Sequence, residues 1–103
     1  MDCNQLTNLV NKESACLLDV RPKSEFETGA IAGSINIPFD ELDNRNDELL
    51  KEKENPLVLI CKMGRNASLA GEKMQKYGYN KTHVLKGGIT TWQQEGLPLV
   101  KVK

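Results

Sequence analysis

The sequence predicts an α/β fold: a mostly parallel central sheet of four to five short strands with helices on both faces. Three observations carry this. Short apolar runs (Ala15 to Val20, Ile31 to Pro38, Leu57 to Cys61, His83 to Leu85) alternate with segments of helical period. Gly and Pro punctuate the boundaries between them. The chain has 103 residues, 39% hydrophobic and 27% charged, which suits a single globular domain spanning 1–103.

Asp2 and Gln5 form a capping-box pair ahead of Leu6, Leu9 and Val10, so a first amphipathic helix runs to about Lys12. Ala15 to Val20 is long enough for a buried strand. Pro22 suits the first turn of a short helix, with Gly29 as its left-handed stop. Ile31, Gly33, Ile35 and Ile37 alternate weakly as a second strand, which Pro38 ends. Asp40 is the expected N-cap of a polar helix carrying Leu42, Leu49 and Leu50. Asn55-Pro56 breaks the chain before the strand Leu57 to Cys61. Ala67, Ala70, Met74 and Tyr77 then mark a helix that begins near Ala67, with Gly78 as its C-cap. After the strand His83 to Leu85, Gly87-Gly88 is a turn, Ile89 and Trp92 the buried side of a last helix, and Gly96-Leu97-Pro98 its end. Phe26 and Trp92 read as core residues.

The chemistry concentrates at Cys61. A buried strand delivers this thiol to its carboxyl end, ahead of the unpaired N–H groups of a helix N-terminus. The helix dipole, Lys62 and Arg65 all favour the thiolate. Gly64 permits positive φ, so the loop Cys61 to Asn66 can wrap its N–H groups around an anion. In parallel sheets ligands bind outside the carboxyl ends of the strands, where Asp19-Val20-Arg21 also falls. Cysteine chemistry on a small anion is the expectation. Cys16 reads as packing, Cys3 as a peripheral helix residue, and His83 as a surface or capping residue.

Other classes fit less well. Net charge is zero, which argues against nucleic acid as the partner. No apolar run is long enough for a membrane span, and the N-terminus lacks the pattern of a signal peptide. Three cysteines without C-x-x-C spacing suit neither a disulfide framework nor a metal site, so a reduced, cytoplasmic setting without cofactor is expected. Charge is uneven: Asp40 to Glu54 holds seven acids and three bases, Lys62 to Lys103 eight bases and two acids. These are either two solvated faces or, on the basic side, a field that draws anions toward Cys61.

Three separated segments resemble the rhodanese-type sulfurtransferase domain. Residues 19–38, DVRPKSEFETGAIAGSINIP, are similar to the family's D-V-R-x-x-x-E-[FY]-x-x-G-H-I-x-G-A-x-N-I-P, with Ala30 where His is usual and Ser34 where Ala is usual. The Cys61 loop running into a helix is the second segment. The third, Leu85-Lys86-Gly87-Gly88 through Trp92 to Gly96-Leu97-Pro98-Leu99, resembles the family's L-x-G-G-x-x-x-W…G-x-P ending. The resemblance implies a three-layer rhodanese-like fold and a single-domain sulfurtransferase with Cys61 as its persulfide-forming nucleophile. Lys62, Met63, Gly64, Arg65 and Asn66 would bind a small anionic sulfur donor such as thiosulfate or a persulfide. Asp19 and Arg21 would support the site, form a local salt bridge or cap the helix starting at Pro22, and these roles are not exclusive. A thiol or cyanide would accept the sulfur.

Two alternatives stand beside this: a relay module loaded by a protein sulfur donor, with little thiosulfate activity, and a non-catalytic binding domain. No metal, nucleic acid or membrane is implied, and a monomer is expected. The related phosphatase signature C-x5-R is absent, since six residues beyond Cys61 stands Ala67. Where many members read C-x-x-G-x-R-S, this chain has Asn66 and Ala67, and its loop arginine is Arg65.

Overall fold

The computed structural model describes residues 1–12 and 14–101; Lys103, counted above among the bases, lies outside the described residues. The elements in chain order are α1 (Cys3–Lys12), β1 (Cys16–Asp19), α2 (Lys23–Thr28), β2 (Ile35–Asn36), a 3-10 turn (Phe39–Glu41), α3 (Leu42–Arg45), a second 3-10 stretch (Asn46–Glu52), β3 (Leu57–Ile60), α4 (Arg65–Lys76), β4 (Thr82–Val84) and α5 (Gly88–Gln94). The four strands form one sheet in the order β2-β1-β3-β4. All three pairings are parallel.

Alternation along the strands sorts the core into two layers. Cys16, Leu18, Val20, Leu57, Leu59 and Cys61 face Leu42, Leu49 and the α4 residues Ala67, Ala70 and Met74. Leu17, Val58 and Ile60 face the other way, toward Cys3 and Leu6 of α1 and Ile89 and Trp92 of α5. Residues two apart on a strand share a face. Cys61 therefore continues the row of Leu57 and Leu59 and emerges on the α4 side. The capping box at α1 is present: Asp2 N–H donates to Gln5 Oε1 at 2.9 Å and Gln5 N–H to Asp2 Oδ1 at 2.8 Å.

Five local expectations are corrected. Gly29 has φ 169°, which is extended backbone rather than a left-handed stop. Its carbonyl accepts from Arg21 Nη2 at 2.7 Å, and Ala30 beyond it bridges Val100, so tertiary contacts set its conformation. The second strand shrinks to Ile35–Asn36. Ile31 and Ile37 pack on opposite faces of the sheet, which one uninterrupted strand would forbid. A turn closed by Ser34 N–H to the Ile31 carbonyl separates them. Asp40 caps nothing; it sits within the 3-10 turn that follows Pro38. The expected single helix there breaks into short pieces, leaving Leu42 and Leu49 buried and Leu50 55% exposed. Cys3 is not peripheral but 1% exposed in the α1–α5 core. Finally, α4 starts at Arg65, two residues before Ala67, because Gly64 at φ +101° turns the chain at once.

The acidic stretch is partly tied down. Arg45 pairs with Glu41 and Glu48. Asp43 binds Tyr77 Oη and Lys73, which together hold its carboxyl below the usual range. Exposed pairs of this kind contribute little to stability.

Two buried thiols make alkaline stability predictable. Burial, then Glu95, pushes Cys3 from 9.0 up to about 11. Burial, then Glu52, pushes Cys16 from 9.0 up to about 11. Each keeps its proton in the folded chain after the unfolded chain has released it. Their contribution to stability is therefore whole below about pH 9 and declines as pH rises toward about 11. Urea midpoints should fall over that window, and a Cys3→Ala/Cys16→Ala double variant should fall less steeply. Parallel profiles for the two proteins would contradict this.

Candidate active site

The strand order 2-1-3-4 makes β1 and β3 neighbours whose following connections diverge, which opens a crevice at their carboxyl ends. The tips of those two strands carry Asp19 through Arg21 and Cys61. Val20 N–H donates to the Ile60 carbonyl at 2.8 Å, so the two tips are stitched together just below the crevice.

Cys61 leaves β3 with its Sγ turned back under the loop, where it accepts the Gly64 N–H at 2.9 Å. It is 4% exposed. Lys62, Met63 and Gly64 alone separate it from α4. Among the described residues, the N–H groups of Lys62, Met63, Arg65, Asn66 and Ala67 donate to no backbone acceptor. Unpaired N–H groups at the start of a helix of this length form a ready cradle for negative charge.

The loop is held from behind by the turn before α5. The Cys61 carbonyl accepts Ile89 N–H at 2.9 Å and the Lys62 carbonyl accepts Thr90 N–H at 3.0 Å. This contact requires Gly88: a Cβ there would lie 2.2 Å from the Cys61 carbonyl oxygen. The conformation of Gly88, at φ +59°, also disfavours a side chain. With both carbonyls drawn into α5, the loop's donors remain for the crevice.

The crevice itself is an open cleft of about 340 Å³. It is lined by Pro22 and Glu25 after β1, by Cys61, Lys62, Met63, Arg65 and Asn66 after β3, and by Arg21 in its floor. Lys62, Arg65 and Asn66 are exposed at its rim, and Met63 is 69% exposed. Arg21 lies beneath, 6% exposed, paired with the fully buried Asp19. Its Nε reaches both Asp19 oxygens at 3.1 and 3.0 Å, and its Nη2 reaches Oδ2 at 2.8 Å. Asp19 Oδ1 also accepts the Arg21 backbone N–H at 2.9 Å. The side-chain amide of Asn36 ties down the carbonyls of Asp19 and Arg21, each at 2.9 Å. A larger hollow of about 440 Å³ lies between Phe26, Pro38 and Arg45, and no cysteine lines it.

The structure thus brings together most of the residues that the sequence grouped: Cys61, Lys62, Met63, Arg65 and Asn66 line one cleft with Arg21 in its floor and Asp19 behind, while Gly64 turns the loop and lines the adjoining hollow. Of the basic second half, Lys62 and Arg65 reach the cleft, and Lys86 lines an adjoining hollow with Met63. Lys73 is instead engaged with Asp43. Sequence reasoning missed Glu25, Asn36 and Gly88. All three fall within segments already singled out, but only the packing shows that Glu25 lines the cleft, that Asn36 holds the Asp19 and Arg21 carbonyls and that Gly88 meets the loop. Cys16 and Trp92 are core residues as expected, and Trp92 Nε1 donates to the Pro98 carbonyl at 2.9 Å. His83 is exposed on β4.

Known proteins are similar to this chain along most of its length. The rhodanese-like domain family model matches residues 2–95. The Escherichia coli (strain K12) protein YibN is 37% identical over 100 residues, which cover 96% of this chain and 70% of that protein. A rhodanese-related protein from Thermoplasma volcanium is 33% identical in its solved structure, with a TM-score of 0.86 over 97% of this chain and 95% of that one. The human single-domain sulfurtransferase TSTD1 is 25% identical, with a TM-score of 0.81 over 92% of this chain and 95% of that one. The family model spans most of the chain and the likeness to solved structures covers nearly all of it, and the chain belongs to the rhodanese-like domain family.

Proposed function

We propose that this protein is a sulfurtransferase that carries sulfane sulfur as a persulfide on Cys61. The observation that bears most weight is the Gly64 N–H donating to Cys61 Sγ inside a loop whose neighbouring amides are free. Donors fixed around a sulfur stabilise negative charge there without rearranging during reaction. A persulfide places that charge one atom further out, within reach of the same cradle. The likeness to the human single-domain sulfurtransferase supports the reading.

The reaction balances in two steps. The Cys61 thiolate attacks the outer sulfur of thiosulfate, forming the Sγ–S bond while the S–S bond of the donor breaks and sulfite leaves with its electron pair. With an alkyl persulfide donor, an alkyl thiolate leaves instead. A thiolate or cyanide acceptor then attacks the outer sulfur, and the bonding pair returns to Sγ as thiolate. Lys62 and Arg65 at the rim would offset the charge of the donor. Arg21, locked by Asp19, would shape the floor.

A narrower form of this reading is a relay that takes its sulfur from a protein partner. The exposed Met63 on the rim favours it, since an apolar side chain in that place gives a partner something to bury.

Intact-mass measurement tests the proposal. Incubation with thiosulfate, an alkyl persulfide or a persulfidated cysteine desulfurase should add one sulfur atom to Cys61. Cyanide should remove it as thiocyanate. Loading only by the desulfurase selects the relay form, whereas no gain with any of the three overturns sulfur transfer altogether.

A further inference from the structure

The lining of the cleft includes an acidic residue, Glu25, in a site otherwise arranged for anions. Glu25 lines this cleft and also a second hollow of about 170 Å³ on the other side of Lys62, where Arg21, Thr28 and Thr90 join it. With Arg21 and Lys62, it is one of three residues that line both hollows. Among the described residues, no cation pairs with it: Arg21 is engaged by Asp19, and neither Lys62 nor Arg65 makes an ion pair with it. A carboxylate in the first turn of α2 also suits the helix dipole. That role needs no position on the cleft wall.

Resting on the sulfurtransferase reading, we propose that Glu25 is a specificity residue. It weakens approach of dianionic donors such as thiosulfate and favours persulfides that carry an ammonium group near the sulfur. The loop amides and the Lys62 and Arg65 side chains hold the sulfur end of any donor. The charge at the far end of the donor is what meets Glu25. A doubly negative donor brings its remaining charge toward the carboxylate, whereas an aminoalkyl persulfide brings an ammonium. The cleft is open to solvent, so the discrimination is on the order of tenfold per unit of charge difference and shrinks at high salt.

The test uses two donors of equal size, 2-aminoethyl persulfide and 2-hydroxyethyl persulfide, together with thiosulfate. Rates of sulfur loading on Cys61 are compared in wild type, Glu25→Gln and Glu25→Lys. Relative to wild type, Glu25→Gln should lower the amino-to-hydroxy rate ratio about tenfold and raise kcat/KM for thiosulfate by a similar factor. Glu25→Lys should extend both changes. The folded state of each variant is checked by its urea midpoint, and either variant alone suffices for the comparison.

Cationic 2-aminoethyl and anionic 2-sulfonatoethyl methanethiosulfonate provide a readout that needs no sulfur carriage. Each forms a mixed disulfide with the Cys61 thiolate and expels methanesulfinate. If Cys61 takes no persulfide sulfur but Glu25→Gln still shifts the ratio of these two reagents, sulfur transfer fails while the charge selection at Glu25 stands. If loading occurs but every ratio stays within twofold of wild type, Glu25 is no specificity residue.

Discussion

Replacing Cys61 by alanine should abolish sulfur loading and reduce thiocyanate formation to the uncatalysed level, a loss on the order of 10⁴-fold or more. The loop amides cannot compensate. They stabilise charge on a sulfur, and without Sγ no bond to the donor sulfur forms. Cys61→Ser retains a hydrogen-bond acceptor for Gly64 N–H, yet a serine hydroxyl remains protonated near neutral pH and forms no stable link to sulfur. It should be equally inactive. Both variants should fold, since Cys61 lies just beyond β3 and the packing row of Leu57 and Leu59 remains. Intact mass after donor treatment checks the result. A gain of sulfur in Cys61→Ala would place the carrier on Cys3 or Cys16, both buried away from the cleft.

Removal of the Asp19 carboxylate should be the most destabilising change at the site. Asp19→Ala leaves the Arg21 guanidinium buried with only the Gly29 carbonyl as partner. Breaking one side of a buried ion pair costs about 3–5 kcal/mol, a large share of the roughly 5–15 kcal/mol that holds a domain of this size together. The urea midpoint reports it. Replacing both partners, as Asp19→Leu with Arg21→Met, should restore much of that stability, because the buried charge is gone. Sulfur loading should stay low in the double variant. Arg21 forms the cleft floor, and apolar replacements offer nothing to an anionic donor. Recovery of stability without recovery of loading separates the structural part of the pair from its part in the site.

The long-period features were legible from the chain. The α4 stripe of Ala67, Ala70 and Met74 and the run Leu57 to Ile60 gave helix and strand without any knowledge of packing, since each is set by its own periodicity. The capping box at Asp2 and Gln5 was equally local. The failures cluster where tertiary contacts override local signals. Gly29 is a glycine at a helix end, yet its extended φ answers to Arg21 and to the Ala30–Val100 bridge. Ile31 to Ile37 alternates in sequence, but β1 pairs with only Ile35 and Asn36, and the flanking isoleucines go to different layers. The apolar stripe places the start of α4 near Ala67, whereas the helix begins at Arg65, because Arg65 and Asn66 carry no apolar periodicity. Gly64 supplied the turn.

By itself the sequence determined the α/β class, the motif segments and Cys61 as the thiol at the tip of β3, because these depend on residue order and short-range periodicity. The tertiary structure decided what surrounds that thiol. Arg21, held by Asp19, comes to the cleft of that thiol only because β1 lies beside β3, and α5 clamps the loop only because Gly88 has no side chain to keep it away. Glu25 faces the cleft through the same juxtaposition. Proximity between segments tens of residues apart is a property of packing, and no local pattern in the chain encodes it.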